Sequence, residues 1–157
     1  MQGKYFSFGA TSAVITGLAV IVSLSRTANP VIGITTALVV IAIADNISDS
    51  FGIHVHQESQ KESVAEVRKT TLTNFATRLA VVSVFILLVT LLPINTAVAL
   101  SIFFGVAVIS VISCFIAKER ESKPYKIVFQ HLLTTVLVII GSYFLREASA
   151  GLFAKFR

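Results

Sequence analysis

The chain has 157 residues, 55% hydrophobic and 13% charged, with a mean hydropathy of +0.85, a formal net charge of +5 and one cysteine. Soluble domains carry about 25% charged residues, so a water-exposed globule is excluded, and the lone Cys114 excludes an intramolecular disulfide and a thiolate metal cluster. The composition predicts an all-α, polytopic membrane protein of five transmembrane helices, one domain over residues 1–157, because five apolar stretches reach the ~17–25 residues that cross a bilayer core.

The first stretch, Phe8 to Leu24, is rich in small residues: Gly9, Ser12, Ala13, Thr16 and Gly17. Small residues let helix backbones approach closely in lipid; the alternative is that Ser12 and Thr16 turn their hydroxyls toward a polar cavity. Lys4 ahead of this run gives it the outline of a leader, but its length and the four spans that follow read as a retained helix. Arg26 to Pro30 forms a turn, with Asn29 and Pro30 suited to ending one helix and starting the next.

The second stretch, Pro30 to Gly52, carries Asp45 and Asp49 near its end. A charge at the bilayer centre costs about 2.5–3.5 kcal/mol on insertion scales, so such groups face a partner, a cavity or an ion path. At about 100° per helical residue, Asp45, Asp49 and His56 share one stripe, the first candidate for a cation path. From His54 the sequence turns polar, and reads as a cytoplasmic helical insert over residues 54–74, with a bend or break somewhere after Gly52 and a turn near Thr70 to Asn74. Glu58, Glu62 and Glu66 recur every fourth residue, as a solvated face balanced by Lys61, Arg68 and Lys69 or as a row that gathers divalent cations. Oxygen ligands suit Mg²⁺, Ca²⁺, Mn²⁺ and Fe²⁺, and His54 and His56 tilt the choice toward transition metals.

Spans three and four, Phe75 to Leu92 and Thr96 to Ala117, carry no ionisable side chain between Arg78 and Lys118 other than Cys114, and read as wall, with Gly105 as a packing site. KERESKPYK is a basic cluster that anchors at anionic headgroups, and Pro124 starts helix five. Inside that helix His131 is a hydrogen-bonded packing residue with Thr134 or Thr135 as partner, or else a proton carrier. Arg146 and Glu147 sit at the far interface, followed by an amphipathic tail, ASAGLFAKFR.

The basic residues divide nine to four between the two sides, the nine being Lys4, Lys61, Arg68, Lys69, Arg78, Lys118, Arg120, Lys123 and Lys126. The positive-inside rule then puts the N-terminus in the cytoplasm and the C-terminus outside. Loop charges of this kind report orientation, so no nucleic acid is expected. No Gly-rich phosphate loop, nucleophile elbow or closed zinc set occurs, so no enzyme and no bound cofactor are expected.

Three stretches carry a family resemblance. FGATSAVITGLAVI is similar to an opening helix of the form G-x-N-D-G followed by small and apolar residues. DNISDSFGIHVHQESQ resembles the pattern G-A-L-S-M-A-x-G-E-Y-x-S-x-x-S-Q, with Ser48, Gly52, Ser59 and Gln60 in register, and Leu91 to Pro93 resembles the end of a third helix. Together they resemble the vacuolar iron transporter family, of which the chain looks like a short, divergent member. The resemblance implies export of Fe²⁺ or Mn²⁺ from the cytosol by a homodimer with proton antiport, through a carboxylate on helix one, a methionine on helix two and a glutamate-rich insert. Here Ser12 stands at the helix-one carboxylate position, Asp49 at the methionine and Ile53 at the glutamate of G-E-Y, and the insert is short. The expectation is therefore a relocated site. Asp45 and Asp49 bind the cation, Ser12 adds a hydroxyl, His56 ligates or relays protons, and Glu58, Glu62 and Glu66 capture ions, in the plasma (inner) membrane of a prokaryote. The alternative is a non-transporting membrane scaffold or accessory subunit in which Asp45 and Asp49 pair with Arg78 or Lys69.

Overall fold

A computed structural model describes residues 3–154, with side chains described from 6 to 152. All regular structure among them is helical: α1 (Gly3–Leu24), α2 (Pro30–Val40), α3 (Asn46–Ser59), α4 (Val64–Leu91), α5 (Ile94–Glu119) and α6 (Pro124–Ala154). A single π-helical turn, Ile41–Asp45, joins α2 to α3, so that Pro30–Ser59 is one span. Five spans among the described residues are long and apolar enough to cross a membrane, in keeping with a polytopic helical protein.

The helix ends follow local chemistry. Pro30 opens α2, Pro93 stands at the N-cap of α5, and Pro124 opens α6, positions where a missing N–H costs nothing. The turn after α3 is a Schellman motif: Glu62 N–H donates to the Gln57 carbonyl at 3.3 Å and Lys61 N–H to that of Glu58 at 3.0 Å, with Lys61 left-handed at φ 58°. Ser63 then caps α4, its Oγ accepting from Glu66 N–H at 3.3 Å. The turn after α5 repeats the motif at Glu121, φ 50°.

This corrects the expected turn at Thr70 to Asn74, which lies inside α4; the chain reverses at residues 60–63 instead. It also separates the glutamates. Glu58 is on α3, Glu62 in the turn and Glu66 in the first turn of α4, so they do not form one helical row. The break expected after Gly52 is this turn at residues 60–63, and the π turn is a further irregularity earlier in the same span. At the chain's other end, α6 runs on through Ala154 as one helix, so no separate tail begins at Ala148; its last residues, 155–157, lie outside the described ones, as does the side chain of Lys4.

α1 is the central helix and touches α2, α4, α5 and α6. Its Ala10, Ala13, Val14, Leu18 and Ile21 are buried with Phe85 and Val89 of α4 and Ile109 of α5. The small residues serve close packing as expected. The ring of Phe85 lies where a side chain on Gly17 would stand, and Leu18 lies over Gly105. α6 is the outermost span, with Phe129, Leu137, Ile140 and Phe144 exposed.

Candidate functional site

The second span meets α4 through polar residues. Its buried positions Ile34, Leu38, Ala42, Asn46 and Ser50 recur every fourth residue, and Gln57 follows seven residues on. On a straight α-helix a stripe of that spacing drifts about 40° per step. The π turn lays in one extra residue, takes back much of the drift and keeps the stripe on α4. On α4 the facing stripe is Thr70, Asn74 and Arg78, all buried at the same spacing.

Arg78 is 1% exposed and holds the site together. Its Nη1 donates to Ser12 Oγ on α1 at 2.6 Å and to Asp49 Oδ2, and its Nη2 donates to Asp45 Oδ2. One guanidinium thus bridges two carboxylates that stand one helical turn apart, and touches a hydroxyl on a third helix. Next to it Asn46 Nδ2 donates to the Phe75 carbonyl at 3.0 Å, and Asn74 Nδ2 donates to Ser50 Oγ at 3.1 Å. Asn74 Oδ1 and Arg78 Nε are buried with no partner among the described residues. Gly9 makes room for this layer, since a Cβ there would stand 2.7 Å from Asn74 Oδ1 and 3.0 Å from the Asn74 carbonyl oxygen.

The buried side of the site is basic and its open side acidic. The Asp45 and Asp49 side chains are 48% and 34% exposed on the outer face of the bundle, beside the exposed Ile43 and Ile47. Two carboxylates against one guanidinium leave a formal charge of one negative. Counted along α4 at 1.5 Å per residue, Arg78 is roughly 20 Å from the Leu91 end, inside the apolar part of the helix.

The expected site residues are therefore brought together in part. Asp45, Asp49 and Ser12 meet on Arg78. His56 is exposed on α3, and Glu58 lies 3.4 Å from His54 Nε2 rather than joining the aspartates. Among the described residues, no three His, Cys, Asp or Glu side chains are grouped to share a metal ion. Arg78, counted by sequence among the loop charges, is a buried residue of the span; eight basic residues then remain on its side against four. The polar spacing Thr70, Asn74, Arg78 is the signal that identifies its face. His131 is also partnered differently from expectation: its Nδ1 meets Ser113 of α5 at 2.8 Å, while Thr134 and Thr135 bond back to carbonyls of their own helix.

No family model, no curated protein and no solved structure matches this chain.

Proposed function

We propose that the chain is a carrier of divalent cations that exports Mn²⁺ or Fe²⁺ from the cytosol in exchange for protons. It works as two copies in the plasma (inner) membrane of a prokaryote, N-terminus inside, as a divergent relative of the vacuolar iron transporters. The observation that carries this reading is the Asp45–Arg78–Asp49 bridge: a half-open pair of carboxylates inside an apolar span, held by one buried guanidinium. Ionisable groups at such depth are expensive and mark ion or proton pathways by default. The π turn beside them is a further sign, since such turns recur at functional sites.

Arg78 acts here as the resident counter-cation. An arriving divalent ion brings two charges to the oxygens of Asp45 and Asp49 and competes with the guanidinium for them. Asn74 Oδ1, one turn away and without a partner among the described residues, is an acceptor onto which the released guanidinium turns. Ser12 Oγ is freed in the same step as a hard oxygen donor, a set that suits Mn²⁺ better than a thiolate-binding metal. When the carboxylates take up protons instead, the ion leaves.

A second reading is a non-transporting scaffold, favoured by Arg78 holding both aspartates and by the absence of a three-ligand cluster among the described residues. Anaerobic uptake of Mn²⁺ and Fe²⁺ into proteoliposomes under an imposed proton gradient separates the two. Wild type is expected to accumulate metal and Asp49→Asn to lose at least ~10-fold in rate, a transition-state change of about 1.4 kcal/mol. Folded wild type without uptake leaves the scaffold.

A further inference from the structure

Away from the acidic site, the ends of α1, α5 and α6 enclose a cavity of about 530 Å³, lined among others by Phe8, Thr11, Ile116, Glu119, Arg120 and His131. It lies at the end of the bundle that carries the two Schellman turns and opens at the exposed Phe8, Glu119 and Arg120. Its lining combines one cation, one anion and one imidazole. Neither Glu119 nor Arg120 is in an ion pair among the described residues.

The imidazole has a defined polarity. Ser113 Oγ, buried on α5, gives its one proton to the Ile109 carbonyl at 2.6 Å, so at 2.8 Å from His131 Nδ1 it accepts an Nδ1–H. The neutral ring then keeps its lone pair on Nε2, the polar atom left to the cavity. A ligand that satisfies this lining offers an anion to Arg120, an N–H donor to His131 Nε2 and a positive charge to Glu119. An anion without an amine sets its charge beside the Glu119 carboxylate.

We propose that this cavity binds the headgroup of an aminophospholipid. The phosphodiester sits at Arg120 with the Thr11 hydroxyl, and the primary ammonium sits between Glu119 and His131 Nε2. Phe8 and Ile116 supply the apolar wall along which the glycerol and the upper acyl chains run. His131 is about 10 Å along α6 from Pro124, within about one helical turn of a headgroup layer that takes roughly 5–7 Å on each side of a ~30 Å core. The same phosphoethanolamine chemistry also exists free in solution, and the test distinguishes the sources.

The full chain in detergent is titrated in native mass spectrometry with phosphatidylethanolamine, with phosphatidylglycerol of the same acyl chains, and with soluble glycerophosphoethanolamine. Wild type is expected to hold the ethanolamine lipid about tenfold tighter than the glycerol lipid. Glu119→Gln brings the two to parity. So does His131→Asn, which keeps a donor to Ser113 but lacks the Nε2 acceptor; Lys123→Gln, outside the cavity, keeps the preference. Equal binding of both lipids by wild type, or a preference unchanged in Glu119→Gln, overturns the proposal. Displacement of the lipid by an equal concentration of glycerophosphoethanolamine overturns the lipid source, and resistance to about 100-fold excess supports it. If His131→Asn fails to fold, Glu119→Gln at the exposed helix end carries the test.

Discussion

A buried guanidinium bonded to two carboxylates is stabilising only as a set. Removing one partner of a buried pair costs about 3–5 kcal/mol, whereas replacing the whole set by uncharged groups is often neutral. Arg78→Met alone leaves Asp45 and Asp49 facing each other inside an apolar span, and is expected to lower the unfolding midpoint in detergent sharply. Adding Asp45→Asn and Asp49→Asn to Arg78→Met should restore most of the loss. A triple variant as unstable as the single one would show that Arg78 acts through packing and not charge. Arg78→Lys is not conservative here, because an ammonium lacks the fork that reaches Ser12, Asp45 and Asp49 together. Glycine is as demanding at position 9. A Cβ there meets the backbone oxygen of Asn74 at 3.0 Å, which cannot swing aside, so Gly9→Ala should cost about 1–3 kcal/mol by overpacking. Gly141→Ala, with open space around it, should be neutral or mildly stabilising.

At the scale of elements, most helix beginnings are legible in the sequence and the helix ends are not. Pro30, Pro93 and Pro124 announce α2, α5 and α6. The turns that close α3 and α5 put Lys61 and Glu121 in the left-handed conformation that glycine ordinarily takes, so the usual stop signal is missing. That is why the reversal at residues 60–63 is hard to read, and why a glutamate row spanning it looks continuous. The capping pattern Ser63-Val64-Ala65-Glu66 does mark the start of α4. The acidic pair is plain in sequence for a different reason, since charges interrupt an apolar run; its partner Arg78 is masked by lying near the polar segment. Left-handed residues with a Cβ cost about 1–2 kcal/mol. Lys61→Gly and Glu121→Gly are therefore each expected to raise the unfolding midpoint, and a fall in both would mean that the turns are held by their side chains. The π turn makes a second expectation. Deleting Ala44 removes its extra residue and lets Ile34, Leu38, Asn46 and Ser50 stay on one face as a plain α-helix. Deleting Ser48 instead turns the rest of α3 by about 100° against Asp45 and should abolish folding, as judged by size-exclusion chromatography. If both deletions behave alike, the π turn does not set the register.

For the whole molecule, the decisive feature is where the charge is left open. Exposed Val40, Ile43, Ile47 and Phe51 on the second span carry no information by themselves, because lipid tails are as apolar as these side chains. The half-exposed Asp45 and Asp49 do carry information, since a net negative site on the outer face of a bundle is costly against acyl chains. In the proposed dimer, a second copy apposed along the second span would cover that face, and a twofold axis there would bring two acidic sites to opposite walls of one path. α6 lies on the other side of α1 and presents only apolar residues and threonine at mid-depth. With Cys114→Ser as background, Ile47→Cys is then expected to form an intermolecular disulfide in native membranes under mild oxidation. Leu137→Cys on α6 is not, because a disulfide needs Cα atoms about 4.4–6.8 Å apart. Cross-linking at 137 without cross-linking at 47 would put the second copy on α6, leave the acidic face open to lipid or water, and remove the dimer from the proposed transport path.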